Sequence, residues 1–191
     1  MALAALLSTL ALLASSPSAV LLAQADTSAD RSAPIVNNDP TLEANAEALA
    51  KGEDPFPAGA PTDDYGFMGW CYGALAGHLD LYERVAPEVR RIEAQFPDSD
   101  RPLDTVMDDY KAQHERGTQI LADYDRALSL QEASRRKPAV DRATAVARGR
   151  DVWKGADTAE PRQLAQLWMS WALPDRCEAT ADRLVRKRAG K

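Results

Sequence analysis

Apolar residues recur at helical spacing along the chain from Thr62 to its end. The longest example is a seam whose members are three and four residues apart in turn: Leu103, Met107, Tyr110, His114, Gly117, Leu121, Tyr124 and Leu128. This alternation is typical of helices that pack side by side in bundles. No stretch alternates apolar and polar residues between glycine-rich turns, as the strands of a hairpin do. The pattern therefore predicts an all-α fold.

Prolines and capping residues divide the pattern into four main helices, which we place at residues 62–96, 102–134, 138–154 and 157–188. We expect Thr62 to cap the first helix. Pro87 and Pro174 break the first and the last, because proline lacks the amide proton that a helix interior uses. Asp175, followed three residues later by Glu178, matches a capping pattern and restarts the last helix. The predicted inward face of the third helix consists of Val140, Ala143, Ala147 and Trp153.

The amino end resembles an export signal. Residues 1–25 contain no charged residue, although such residues make up 27% of the chain. An apolar run from Ala2 to Ala14 is followed by a small-x-small pattern at residues 23–25, so we predict signal-peptide cleavage after Ala25 and a periplasmic or secreted location. An uncleaved anchor over residues 2–23 is the alternative, but Pro17 interrupts the apolar run. The mature chain is thus expected to contain no membrane span.

Residues 26–62 combine prolines and small polar residues with few large apolar ones. Such a composition buries too little surface to offset the entropy of ordering, so we predict a disordered acidic leader in which residues 42–51 form one weak helix. Residues 26–64 hold nine acidic and two basic residues, while residues 65–191 are nearly neutral. The predicted division is signal 1–25, leader 26–62, helical domain 63–188 and tail 189–191. An exported chain with a net charge of −6 is a poor partner for nucleic acid.

The only two cysteines are Cys71 and Cys177. In an oxidising compartment two thiols of one domain usually pair, so we predict a disulfide that joins the first helix to the last. A redox role is the alternative, since Cys177 would lie in the first turn after Asp175, where thiols become more acidic. The absence of a Cys-x-x-Cys pair favours the structural bond.

Four glycines, Gly66, Gly69, Gly73 and Gly77, fall within about 80° of one another on a helix. Such a strip lets another backbone approach closely, either a neighbouring helix or a ligand lying in a groove beside Trp70. A transmembrane dimer face is disfavoured, because only 15 residues separate Asp64 from Asp80. Tight packing and a binding groove therefore remain the two interpretations.

His78 and His114 are the only histidines. Together with Asp80, Glu83 and Glu115 they are candidates for a polar cluster that binds a metal or performs acid–base chemistry. The alternative is that each histidine is a buried structural residue. No known spacing of metal ligands, haem attachment motif, phosphate loop or nucleophile elbow occurs, so no cofactor and no catalytic residue are predicted.

The carboxyl end is basic, with five positions that carry positive charge: Arg183, Arg186, Lys187, Arg188 and Lys191. These side chains suit anionic headgroups, a polyanionic wall polymer or the acidic leader. They equally suit the negative end of a solvated helix.

These features do not assign a specific function. Our leading hypothesis is a non-enzymatic protein of the periplasm that binds another protein or a cell-envelope component through a helical groove. The alternatives are a helical bundle that binds a small molecule or a metal, and a cell-envelope hydrolase that uses His78 or His114 with a carboxylate.

Overall fold

A computed structural model describes residues 40–52, 54–97, 100–133, 138 and 140–189, which belong to one compact unit. The predicted signal peptide, its cleavage site near Ala25 and residues 26–39 of the predicted leader lie outside these ranges. Within them the chain contains only helices, which confirms the all-α class. The α-helices are α1 Pro40–Ala50, α2 Asp64–Asp80, α3 Tyr82–Glu93, α4 Leu103–Glu132, α5 Arg142–Arg150, α6 Pro161–Ser170 and α7 Asp175–Ala189.

The helix boundaries follow local chemistry, but the described residues form seven α-helices where we predicted four, and the third predicted helix is shortened to Arg142–Arg150. Asp63, rather than Thr62, caps α2, and its carboxylate accepts the Gly66 amide at 2.9 Å. The first long helix divides at Leu81 instead of Pro87, which lies inside α3 on its exposed side. Leu81 is buried, and the turn there directs the apolar face of α3 into a second core. Asp175 begins α7, as the sequence indicates, whereas α6 begins at Pro161 and not at residue 157, where we placed the start of the fourth helix.

Helix α2 lies at the centre of the fold. Thirteen of its 17 residues are buried, so it has no face that favours water. One core forms where α2 meets α4 and α7, and it includes Phe67, Met68, Tyr124, Leu128 and Leu184. A second core forms between α3 and α6 and includes Val85, Val89, Ile92, Leu164 and Trp168. The seam of α4 spans both cores, and each of its eight positions is at least partly buried.

Helices α2 and α5 touch backbone to backbone. A Cβ atom on Gly73 would lie 2.0 Å from the Val146 carbonyl oxygen, and one on Gly149 would lie 2.0 Å from the Trp70 carbonyl oxygen. Ala145 packs against Gly69 in the same contact. The inward face of α5 is therefore Ala145 and Gly149, whereas the predicted Ala143 and Ala147 are exposed. Small residues are required here because no side chain fits between the two backbones.

Part of the predicted leader packs against the helices. Ala60 and Pro61 are buried, and the Phe56 ring meets the Phe67 ring edge-on at 5.0 Å. The Phe56 amide donates to the Asn45 side chain of α1 at 2.5 Å. Arg176 of α7 donates to the Asp54 carbonyl at 2.8 Å. These contacts explain how a segment poor in apolar residues is held on the domain: one aromatic ring and a few hydrogen bonds fix it.

The predicted disulfide between Cys71 and Cys177 is confirmed, with Cα atoms 5.8 Å apart. Both residues are fully buried in the first core, so the bond fixes α7 to the centre of α2.

None of the helices in the described ranges is both long enough and apolar enough to span a bilayer.

The contact between α2 and α5 predicts opposite outcomes for two glycine variants. Gly73→Ala should destabilise the protein by about 3 kcal/mol or more, because its Cβ meets rigid backbone. Gly117→Ala should stay within about 1 kcal/mol of the wild type, because its Cβ meets only the movable tip of Leu79 and alanine favours a helix. Chemical denaturation monitored by circular dichroism measures both. An equal loss of unfolding free energy in the two variants would contradict the backbone contact between α2 and α5.

Removal of the disulfide should also lower stability. The bonded cysteines are 106 residues apart. For a loop of that size, Cys71→Ala with Cys177→Ala should reduce the free energy of unfolding by about 2–5 kcal/mol. Reduced wild-type protein is the control, because it loses the bond without the cavity that alanine leaves. A loss below about 1 kcal/mol in both would show that packing alone positions α7.

Candidate functional site

The glycine strip of α2 is filled by the protein itself. Gly69 and Gly73 face α5, while a Cβ on Gly77 would lie 2.4 Å from the Trp153 ring. Gly66 faces Pro61, and Trp70 is only 3% exposed. The groove that we placed on this strip is therefore wrong, because α5 and Trp153 occupy the space. The interpretation of the strip as a packing surface is correct, and its main partner is α5.

His78 lies within a cluster of aromatic rings. Its ring stacks on Trp168 at 4.5 Å and on Trp171 at 4.7 Å, with Trp153 at 5.4 Å. The Trp168 indole N–H donates to the His78 carbonyl oxygen at 2.8 Å, which fixes the stack. The imidazole Nδ1 atom is buried and has no hydrogen-bond partner in the described part of the chain. His78 is thus a structural ring of the core.

This environment keeps His78 neutral. Burial, and to a smaller extent the charge of nearby His114, lowers the pKa of His78 from 6.5 to about 4. A neutral, buried imidazole is a poor general acid at neutral pH. Its position favours a role in stability rather than in proton transfer.

The predicted polar cluster does not assemble. His114 stacks on Tyr82 at 4.5 Å, while Asp80 forms an ion pair with Arg150 at 2.7 Å. Glu83 and Glu115 are exposed. Among the described residues, no three His, Cys, Asp or Glu side chains come close enough to hold a metal ion. Both histidines instead stack on aromatic rings, His78 on Trp168 and His114 on Tyr82.

Part of the basic tail is paired with acids. Arg183 and Lys187 both bind Asp64 at the start of α2, and Arg186 pairs with Asp182 at 3.5 Å. Burial opposes ionisation of Asp64, but the hydrogen bonds from Lys187 and Arg183 outweigh it and lower the pKa of this carboxyl. Among the described tail residues, these pairs offset part of the positive charge, because Arg183 and Lys187 share the single carboxylate of Asp64. The side chain of Arg188 and all of Lys191 lie outside the described residues.

Helices α4 and α7 leave a cavity of about 440 Å³ between them. Its apolar wall consists of Ile120, Tyr124, Leu173, Pro174, Ala181 and Val185, and we call this surface the α4–α7 groove. Ile120 is 38% exposed and Val185 is 41% exposed, so the groove opens to solvent. Its volume lies within the range of about 300–1,000 Å³ that is common for ligand sites.

The rim of this groove is predominantly acidic. Four carboxylates surround it, from Asp123, Asp175, Glu178 and Asp182, together with the two guanidinium groups of Arg126 and Arg186. The pair between Asp182 and Arg186 leaves three carboxylates and one guanidinium. Within the described ranges, no ion pair neutralises Asp123 or Glu178.

Tyr124 brings a polar group to the groove wall. The residue is 3% exposed, and its hydroxyl forms no hydrogen bond with another described residue. Burial and the nearby Glu178 carboxylate raise the pKa of Tyr124, so the hydroxyl stays protonated and able to donate. Tyr65 and Tyr110, by contrast, donate to Glu132 and Glu93. Tyr124 therefore retains a hydrogen-bonding group for another molecule.

A smaller cavity of about 260 Å³ lies between the 52–54 segment and α7. Two guanidinium groups border it, but Arg176 already binds the Asp54 carbonyl and Arg183 already binds Asp64 and Thr180. This cavity is therefore a weaker candidate for an anion site than its two arginines suggest.

The sequence did not reveal the α4–α7 groove. Tyr124 belonged to the predicted seam of α4 and was therefore expected to pack against other helices. One feature of the sequence pointed to this groove. Ile120 is an apolar residue of α4 that does not belong to the predicted seam. The groove lies between two helices that are distant in sequence, so its presence depends on the tertiary arrangement.

Comparisons with models of protein families, with characterised proteins and with solved structures found no match.

The lowered pKa of His78 predicts a pH dependence of stability. The unfolded imidazole binds a proton below pH 6.5 and the folded one only near pH 4, so the unfolded state binds more protons between these values. Stability should fall as the pH is lowered through this window. His78→Phe keeps a stacked ring without a titrating group and should lose part of that fall, measured as the free energy of unfolding at pH 7 and pH 4.5. His114→Phe is the control, and equal slopes for wild type and His78→Phe would refute the assignment.

Proposed function

We propose that this is an exported, non-enzymatic binding protein of the periplasm that holds a protein partner of the cell envelope in the α4–α7 groove. The groove supports this proposal more strongly than any other feature, because it combines an apolar wall with the Tyr124 hydroxyl and with the carboxylates of Asp123 and Glu178, none of which has a hydrogen-bond or ion-pair partner among the described residues. Exposed apolar surface rimmed by polar residues is typical of interaction sites.

Export is supported by the buried disulfide, since such bonds persist mainly in oxidising compartments. We therefore retain the proposal that the uncharged amino end is a signal removed near Ala25. Residues 26–39 would then connect the new amino terminus to the helical unit as part of an acidic leader.

Binding of a small molecule is the second candidate. The volume of about 440 Å³ favours it, because pockets for small ligands have similar volumes. A hydrolase based on His78 gains no support, since the neutral imidazole stacks between tryptophans and no carboxylate is placed beside its buried nitrogen in the described residues.

Paired variants test the proposal in affinity capture from envelope extracts of the source cells. Ile120→Asn with Val185→Asn removes the apolar wall at two partly exposed positions and should reduce capture of a groove-binding partner at least about tenfold, which corresponds to 1.4 kcal/mol. Val152→Asn with Leu167→Asn is the matched control, because these residues are similarly exposed but lie on other surfaces.

Equal capture by the two double variants and the wild type would refute the groove as the binding site. Native mass spectrometry of the purified protein distinguishes the second candidate. A small molecule that co-purifies with the wild type and is lost only from the groove variant would favour it over a protein partner.

A further inference from the structure

We infer that the segment recognised by the α4–α7 groove is a cationic amphipathic helix of the partner, with lysine or arginine beside its apolar face. This inference rests on the proposed function, because it specifies the chemistry of the partner that the groove would hold.

The shape of the groove favours a helix over a compact ligand. Its lining along α7 extends from Asp175 to Arg186, which is about 16 Å at 1.5 Å per residue. Three turns of a helix cover the same length. Apolar side chains at positions i, i+3, i+4 and i+7 of such a helix form one stripe, which matches the wall between Ile120 and Val185.

The charged residues at the groove indicate which charge a bound segment should carry. Asp175 and Glu178 lie on α7, and Asp123 lies on α4 together with Arg126, so carboxylates border the groove on both sides and the excess of negative charge is on α7. Lysine or arginine side chains that flank an apolar stripe would reach both sides at once. An anionic helix or an anionic lipid surface would place like charges together, which is unfavourable.

Tyr124 is a second observation, independent of the acidic residues. The side chain of Tyr124 is 3% exposed, and its hydroxyl lines the groove without a hydrogen bond to another described residue. A polar group of the bound helix, such as a main-chain carbonyl or a side-chain amide, would accept this hydrogen bond. The groove thus offers an apolar wall, a donor on that wall and negative charge at its edges.

Contacts at the rim set selectivity more than affinity. Exposed ion pairs contribute little each, so the apolar wall supplies most of the binding free energy. Charge complementarity mainly raises the association rate and rejects partners of the wrong sign. We therefore expect the preference for a cationic helix to weaken at high salt.

Fluorescence anisotropy with three labelled helical peptides of equal length tests the inference on the oxidised protein. One peptide has a leucine stripe and lysines on its other face, the second has glutamates in place of the lysines, and the third contains the residues of the first in an order that breaks the stripe. At low salt the first should bind at least about tenfold more tightly than either other peptide, and half-molar salt should reduce its advantage over the glutamate peptide.

Charge-neutral variants provide the matched comparison. Asp123→Asn with Glu178→Gln should weaken binding of the lysine peptide about threefold to tenfold, whereas Glu115→Gln, an exposed carboxylate elsewhere on α4, should leave it unchanged. Tyr124→Phe should also weaken it, because phenylalanine keeps the packing and removes only the hydroxyl.

Failure of this inference can be distinguished from failure of the groove. If the lysine and glutamate peptides bind equally and Ile120→Asn with Val185→Asn abolishes both, the cationic partner is refuted but the groove stands. If no peptide binds and that double variant leaves envelope capture unchanged, both proposals are refuted. A dimer of this chain that the double variant abolishes would assign the groove to a second copy and would also overturn the inference.

Discussion

Helix α2 has no polar face, and the other helices are arranged to cover it. Its glycine strip admits α5 at backbone distance, its aromatic and aliphatic side chains meet α4 and α7, and Cys71 bonds to α7. Each neighbouring helix packs against a part of α2 that has a different composition. The glycines are unfavourable in an isolated helix by about 1 kcal/mol each relative to alanine, so the close packing that they permit must offset that cost.

Sequence periodicity predicted those features that depend on one element at a time. The seam of α4, the start of α7 and the pairing of the only two cysteines all follow from spacing or from elimination. The register of α5 was not predictable in the same way. Ala145 and Gly149 face α2, although Ala143 and Ala147 are equally small, because the choice depends on which residues of α2 they meet. The division at Leu81 likewise serves a second core that only the tertiary arrangement reveals.

The candidate site was even less predictable from the sequence than the packing of the helices. Rare residue types directed attention to the histidines and the glycine strip, yet both are enclosed within the protein. His78 connects the two cores through its stack with Trp168, and its neutral ring tolerates a setting where a charged one would be costly. The α4–α7 groove instead consists of common residues on α4, on α7 and in the segment directly before α7. No spacing rule identifies a gap between elements that are far apart in sequence.

The bond between Cys71 and Cys177 also shapes how the chain acquires its structure. With two cysteines in the chain, one intramolecular pairing exists, so oxidative folding requires an electron acceptor but no reshuffling of wrong partners. Cys71 is synthesised 106 residues before its partner and remains a free thiol until the last helix has followed it. During that interval its most damaging side reaction is the formation of a mixed disulfide with another molecule.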